Sequence, residues 1–285
     1  MAIFFRIERS DVKFQARADG APPFFVGFQT RFDPDRTGTP SLGLFNVPTN
    51  LLPALLYTAD GHRQTNAFWA DFIEPTAVCE GQNFLTLNTY DRARFTWGFG
   101  QFAAHVPDGD FVLFLRDLLQ RPESLDYFPD LEVRDGRIVN VRSVGVVPLE
   151  TRDSTEALMA YLNPTLSAVE DDEVVAGAKL IHWTTNHLEA QALQVTHMVR
   201  LFKQRMIHAD RRLGLDGKPA TLCSVICDIL HQGRATFATM QQLLLKPDPM
   251  AGLLAIGRGA KLAKAIKARP EFDGKAWART TQAFA

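Results

Sequence analysis

The chain has 285 residues, 46% hydrophobic and 22% charged, with a formal net charge of −1. That balance suits a globular protein with a sizeable core, and it gives no whole-chain electrostatic footprint for nucleic acid. Three cysteines (Cys79, Cys223 and Cys227) exclude a disulfide framework, and no apolar run is long enough to span a bilayer.

At the start, a short apolar run meets Arg6 and Glu8 at once, which is not the pattern of a signal peptide. Residues 1–48 read as strands and turns, with a strand around Phe4, Arg6 and Glu8, a turn at Asp19-Gly20 and a strand over 24–30. Residues 33–43 read as loop. A short helix is expected over 50–57, with Pro53 tolerable only in its first turn. A second helix is expected over 65–79, with Phe68, Trp69, Phe72 and Ile73 as its apolar stripe. Pro75 must kink or restart it. Glu80 then stands at the helix end, with Gly81 as its left-handed stop.

Residues 84–102 read as strands around an Asp91-Arg92-Ala93 turn, and Gly98 and Gly100 allow close backbone approach. Asp110 is placed to cap a helix reaching Leu119. Residues 131–141 carry a hairpin signature around Asp135-Gly136. Asp153 and Glu156 resemble a capping box for a helix that stops at Asn163-Pro164. Helical patterning runs over 167–213, with a break expected near Thr184-Thr185. Two further helices, 219–231 and 235–245, flank Gln232-Gly233, and a basic amphipathic stretch covers 253–267. From Lys246 onward eight Lys and Arg stand against three acids; a solvated face packed on the helical lobe is the favoured reading, with weak contact to an anionic envelope as the alternative.

Glu80, Asp91 and Thr96 carry the chemistry. An acetal oxygen needs a proton before it leaves, and a carboxylic acid supplies one at neutral pH only if its pKa is raised. Glu80 follows an apolar helix face and precedes Phe84, a setting that disfavours its ionised form, so it is the expected general acid. Asp91, in a polar turn beside Arg92, is expected to stay ionised and activate water. The stiff, β-branched Thr96 is expected to hold that water.

Glu80-Gly81, Asp91 and Thr96-Trp97-Gly98-Phe99-Gly100 resemble the signature of the phage-type lysozymes (endolysins, or muramidases) of the lysozyme-like superfamily, which is related to the chitosanases. The resemblance covers about twenty residues. Weaker support comes from residues 229–234, which look like the family's helix-Gly-helix corner. The family often has His where this chain has Gln101. The resemblance implies an α+β, lysozyme-like fold in which a helical lobe faces a smaller β-containing lobe across a cleft. Residues 1–60 would be an N-terminal β-rich extension, and 61–285 the catalytic domain. It implies a glycoside hydrolase that cleaves the β-1,4 bonds of peptidoglycan with inversion, with its two carboxyls about 6.5–9.5 Å apart. Tyr90, Trp97 and Gln101 would contact the polymer, and no cofactor is required. Such a protein would be made in the cytoplasm and act at the cell wall after release or delivery. The alternatives are a chitosanase, a lytic transglycosylase that needs no catalytic Asp91, and a non-catalytic envelope-binding or structural module.

Other constellations are weaker. Cys223, Cys227 and His231 recur every four residues, but that row spreads about 6 Å per step along a helix, so buried structural roles are favoured over zinc. Cys79 with His105 invites a thiol-protease reading, which the acidic neighbour Glu80 disfavours. His182 and His187 do not share a helix face, and zincin and P-loop motifs are missing.

Overall fold

The structure, a computed structural model, describes residues 1–33, 40–47, 49–142, 145–256, 259–269, 272 and 274–282. Parts of the loop expected over 33–43 and of the basic stretch over 253–267 lie outside the described residues, as does Pro48. Helices combine with antiparallel sheets in an α+β fold. In chain order the elements are β1 (Phe5–Ser10), β2 (Lys13–Ala18), β3 (Phe24–Phe32), β4 (Ser41–Phe45), α1 (Ala59–Glu80), β5 (Leu87–Asn88), β6 (Thr96–Trp97) and β7 (Phe102–Ala103). Then follow α2 (Asp110–Leu119), α3 (Ser124–Tyr127), β8 (Leu131–Arg134), β9 (Arg137–Arg142), β10 (Gly145–Pro148), α4 (Glu156–Leu162) and α5 (Asp171–Asn186). The chain closes with α6 (Leu188–Leu213), α7 (Ala220–His231), α8 (Phe237–Leu244), α9 (Pro249–Leu254), α10 (Gly259–Lys267) and α11 (Arg279–Gln282). Among the described residues no helix is long and apolar enough to cross a membrane.

Two compact units result. The first joins Met1–Leu56 to Asn83–His197, and the second joins Tyr57–Gln82 to Met198–Ala285. This division differs from the expected boundary at residue 60. The reason is a long-range pairing: Phe45 of β4 stands opposite Asn88 of β5, so the N-terminal strands share one antiparallel sheet, in order β1 to β7, with the segment carrying Asp91 and Thr96.

In the first unit the strands expected over 84–102 shrink to three two-residue strands separated by turns. Gly98 belongs to one such turn. Its φ is 76°, and a Cβ there would lie 2.2 Å from Gln194 Oε1, so glycine alone fits. Phe95, Trp97, Phe99, Phe102, Phe111 and Phe114 are fully buried beside these turns. Asp135 and Gly136 both have positive φ and turn β8 into β9, as the Asp-Gly signature predicts. α4 ends at Asn163 before Pro164, and the helical run after it breaks at His187, slightly later than expected. Residues 50–57 form no helix. Pro53 contributes no N–H to one; instead its carbonyl accepts from Leu55 N (3.0 Å), and Leu56 bridges to Asn83.

In the second unit α1 begins at a Thr58 cap, whose side chain accepts from Gly61 N. The helix contains Pro75 and has non-helical torsions at Ala67. It stops where Gly81 N donates to Val78 O and Gln82 N to Ala77 O, the paired bonds of a left-handed C-terminal cap. Its buried face includes Trp69, Phe72 and Ile73. Two buried carboxylates on that helix are paired: Asp71 with Arg63 and Lys275, and Glu74 with Arg269. Leu262 and Ala265, the apolar face of the basic helix α10, are buried.

Candidate functional site

Glu80 occupies the last turn of α1 and is half-buried. The sequence predicts an apolar setting, but its carboxylate meets an amide: Gln232 Nε2, at the C-terminal cap of α7, donates to Glu80 Oε1 at 2.6 Å. Beside it, Lys261 Nζ donates to Cys79 O at 2.8 Å. The helix-Gly-helix corner around Gln232-Gly233 thus positions the Glu80 side chain, and all these groups belong to the second unit.

Asp91 and Thr96 belong to the first unit. Asp91 Oδ1 accepts from Ala93 N (2.9 Å) and Oδ2 from Asn88 Nδ2 (3.2 Å). The local turn Asp91 closes on its own backbone is the habit of a short carboxylate. Among the described residues no ion pair with Arg92 forms, and the partners are neutral. The turn is also held from outside. Asn163 Nδ2 donates to both Thr89 O (2.9 Å) and Arg94 O (3.0 Å). Ser41 Oγ donates to Tyr90 O at 2.5 Å. Gly43 lies so close that a Cβ there would stand 2.6 Å from the Thr89 and Tyr90 backbone.

Thr96 of β6 is buried. Asp91 and Thr96 line one cavity of about 500 Å³, together with His105 and an apolar wall that includes Phe32, Ala103 and Leu166. His105 was set aside in sequence reasoning as a partner for Cys79. It lies in the turn just past β7, two residues beyond Ala103, the partner of Thr96, and no strand periodicity placed it there.

The expected substrate contacts fare differently. Trp97 follows Thr96 on β6, so it points to the opposite face. There it is fully buried, with its indole N–H unpaired among the described residues. It is a core residue, not a surface for polymer. Tyr90 is half-buried against Phe32 and Phe45, and burial followed by the Asp91 charge pushes its hydroxyl pKa up. Gln101 sits at the turn into β7 with φ 53°, its N–H donating to Gly98 O. Neither Tyr90 nor Gln101 lines the Asp91 cavity.

Glu173 of α5 gave no signal in the sequence. It is wholly buried, and its Oε1 accepts from Leu44 N (3.0 Å) and from the Thr89 hydroxyl. Its Oε2 has no partner among the described residues. Burial raises its carboxyl pKa from 4.5 to about 7, against the opposing pull of those hydrogen bonds. It therefore sits directly under the strand that enters the Asp91 turn.

The remaining candidates take structural places. Cys79 lies in the second unit and His105 in the first. Burial pushes the Cys223 thiol up to about 12 and the Cys227 thiol higher still. Cys227 contacts Met206, and His231 meets Arg205. Among the described residues no group of His, Cys, Asp and Glu is arranged to hold a metal ion.

Comparison of the chain with protein-family models, curated proteins and solved structures returns no match.

Proposed function

We propose that the chain is a glycoside hydrolase with a lysozyme-like fold, cleaving the β-1,4 bonds of peptidoglycan by inverting acid–base chemistry. One observation carries this reading. Asp91 and Thr96 line the same cavity, on a strand–turn–strand that follows a helix ending in Glu80. Those are the group types that the reaction needs, in the order the resemblance implies.

In this mechanism Glu80 gives its proton to the departing glycosidic oxygen. Asp91 takes a proton from a water held by Thr96. The water oxygen bonds to the anomeric carbon as the bond to the leaving sugar breaks, so the configuration inverts. Hydrogen bonds from Ala93 and Asn88 hold the Asp91 carboxylate in place. The protein acts at the cell wall after release or delivery, and the basic residues after Lys246 add a weak attraction to an anionic envelope.

Digestion of purified cell wall by wild type, Glu80→Gln and Asp91→Asn tests the assignment, with products followed by NMR. Each substitution should lower turnover by roughly a hundredfold or more, and the first product formed should be the α-anomer. Full activity in Glu80→Gln would leave a non-catalytic envelope module. Persisting activity in Asp91→Asn, with anhydro-sugar ends, would make the protein a lytic transglycosylase.

A further inference from the structure

β1 ends the seven-stranded sheet, in which its one neighbour among the described residues is β2. In an antiparallel ladder alternate residues aim their N–H and C=O groups at one neighbour, and the residues between aim theirs the other way. The bond from Asp19 N to Phe4 O (3.0 Å) fixes the phase. With the β1–β2 register, it puts Arg6, Glu8 and Ser10 in the bonded pairs with β2 and directs Phe5, Ile7 and Arg9 at the open edge. That edge has two stops. Ile3 N donates outward to Asp126 O of α3 (2.8 Å), and at Asp11, with φ 55°, the chain turns into β2. The open stretch therefore runs from Phe5 to Arg9, and its midpoint is Ile7.

Arg6 and Glu8 project on one face of this stretch, Arg6 exposed and Glu8 half-buried. Arg6 stands directly opposite Arg17 of β2, and like charges placed so destabilise a strand pair. Glu8 attends to Arg17, whose Nε and Nη2 both donate to Glu8 Oε1 (3.1 and 2.9 Å). On the other face Arg9 pairs with Asp171. Charges on an edge strand normally discourage pairing between molecules. Here they are placed so that one register escapes the repulsion.

We infer that the β1 edge is the interface for a second copy of this chain, paired antiparallel about a two-fold axis through Ile7. That register sets Ile7 opposite the partner's Ile7, Phe5 opposite the partner's Arg9 and Arg6 opposite the partner's Glu8. Every outward N–H and C=O from Phe5 to Arg9 then meets its complement. Each Arg6 gains a carboxylate, accepting through Oε2, to offset the Arg17 beside it. An axis between two residues would set outward groups against inward ones and lose the ladder. An axis through Arg6 or Glu8 keeps the ladder but sets two guanidiniums or two carboxylates directly opposite one another, which is unfavourable. Backbone phase, the extent of the open edge and charge thus select the same register. The match is isologous, as a two-fold interface must be, and it does not depend on the hydrolase reading. The edge is short, so the dimer is weak and concentration-dependent.

Sedimentation velocity of the full chain, over a dilution series reaching the concentration of an NMR sample, tests this. A monomer–dimer equilibrium is expected. Arg6→Glu sets carboxylates opposite each other and should weaken the dimer roughly tenfold or more, because each substitution acts twice at a two-fold interface. Adding Glu8→Arg restores opposite charges across the axis and should recover most of the affinity. Circular dichroism of each variant establishes that it is folded. Disulfide formation reads the register. Ile7→Cys places two Cα atoms about 5.5 Å apart at the axis, within disulfide reach, whereas Arg6→Cys and Glu8→Cys do not meet their own copies. The native Cys79, Cys223 and Cys227 are buried and do not compete. A monomer at every concentration, a folded Arg6→Glu protein that dimerises as tightly as wild type, or a double variant no tighter than the single would each overturn the inference. So would cross-linking through Arg6→Cys or Glu8→Cys in preference to Ile7→Cys.

Discussion

Replacing Glu173 by Gln should remove most of the acid-side gain in stability of the first unit. Burial raises the Glu173 carboxyl from 4.5 to about 7, so the folded protein holds a proton that the unfolded chain releases. Below about pH 4.5 the group is protonated in both states and its stabilisation is complete. As pH rises toward 7 the unfolded state ionises first and stability falls. Above about pH 7 the loss is constant. At about 1.4 kcal/mol per pH unit, that interval corresponds to about 3 kcal/mol, carried by a residue that is wholly buried. Gln keeps an oxygen to accept from Leu44 N and Thr89, and it does not titrate. Native-state amide exchange at Leu44, measured between about pH 5 and pH 8, reports the local opening free energy. After correction for intrinsic exchange rates, wild type should weaken by about 2.5 kcal/mol across that range relative to Glu173→Gln. Parallel curves for the two proteins would refute the assignment of a buried, proton-holding carboxyl.

Two further perturbations probe the same region. Trp97→Ala should lower the stability of the first unit by about 3–5 kcal/mol, the usual cost of emptying a buried indole site. Urea unfolding followed by circular dichroism measures it, and a near-neutral result would mean that Trp97 is not the core residue its burial indicates. Gly43→Ala must push the Thr89–Tyr90 backbone, since its Cβ would fall 2.6 Å away. It should cost about 1–3 kcal/mol and displace the Ala93 amide resonance, while resonances of α1 stay in place. An unmoved Ala93 amide would show that the turn is not held from β4.

Features governed by neighbours a few residues away were legible in the sequence. The stop at Gly81 depends on two bonds to the preceding turn of helix. The hairpin at Asp135-Gly136 depends on two residues that accept positive φ. The helix end at Asn163 is set by the following proline. The Asp91 turn is of the same kind, because the side chain bonds its own backbone two residues on. Even the failed helix over 50–57 was a matter of local chemistry, with Pro53 placed too deep in the segment.

Tertiary structure decided everything that depends on which face a residue shows and what lies against it. Sequence spacing gave Trp97 an aromatic ring near the site, and only the pairing of β6 with β5 and β7 turned that ring into the core. The joining of the N-terminal strands to the Asp91 segment rests on Phe45 meeting Asn88 across a long stretch of chain. Glu173 reaches Leu44 across 129 residues and Thr89 across 84, and no periodicity encodes such a meeting. A side chain's chemistry belongs to its residue type, but its solvent and its partners belong to the fold. The residue types of Asp91 and Thr96 were therefore visible from the start, while the cavity they share with His105 was not.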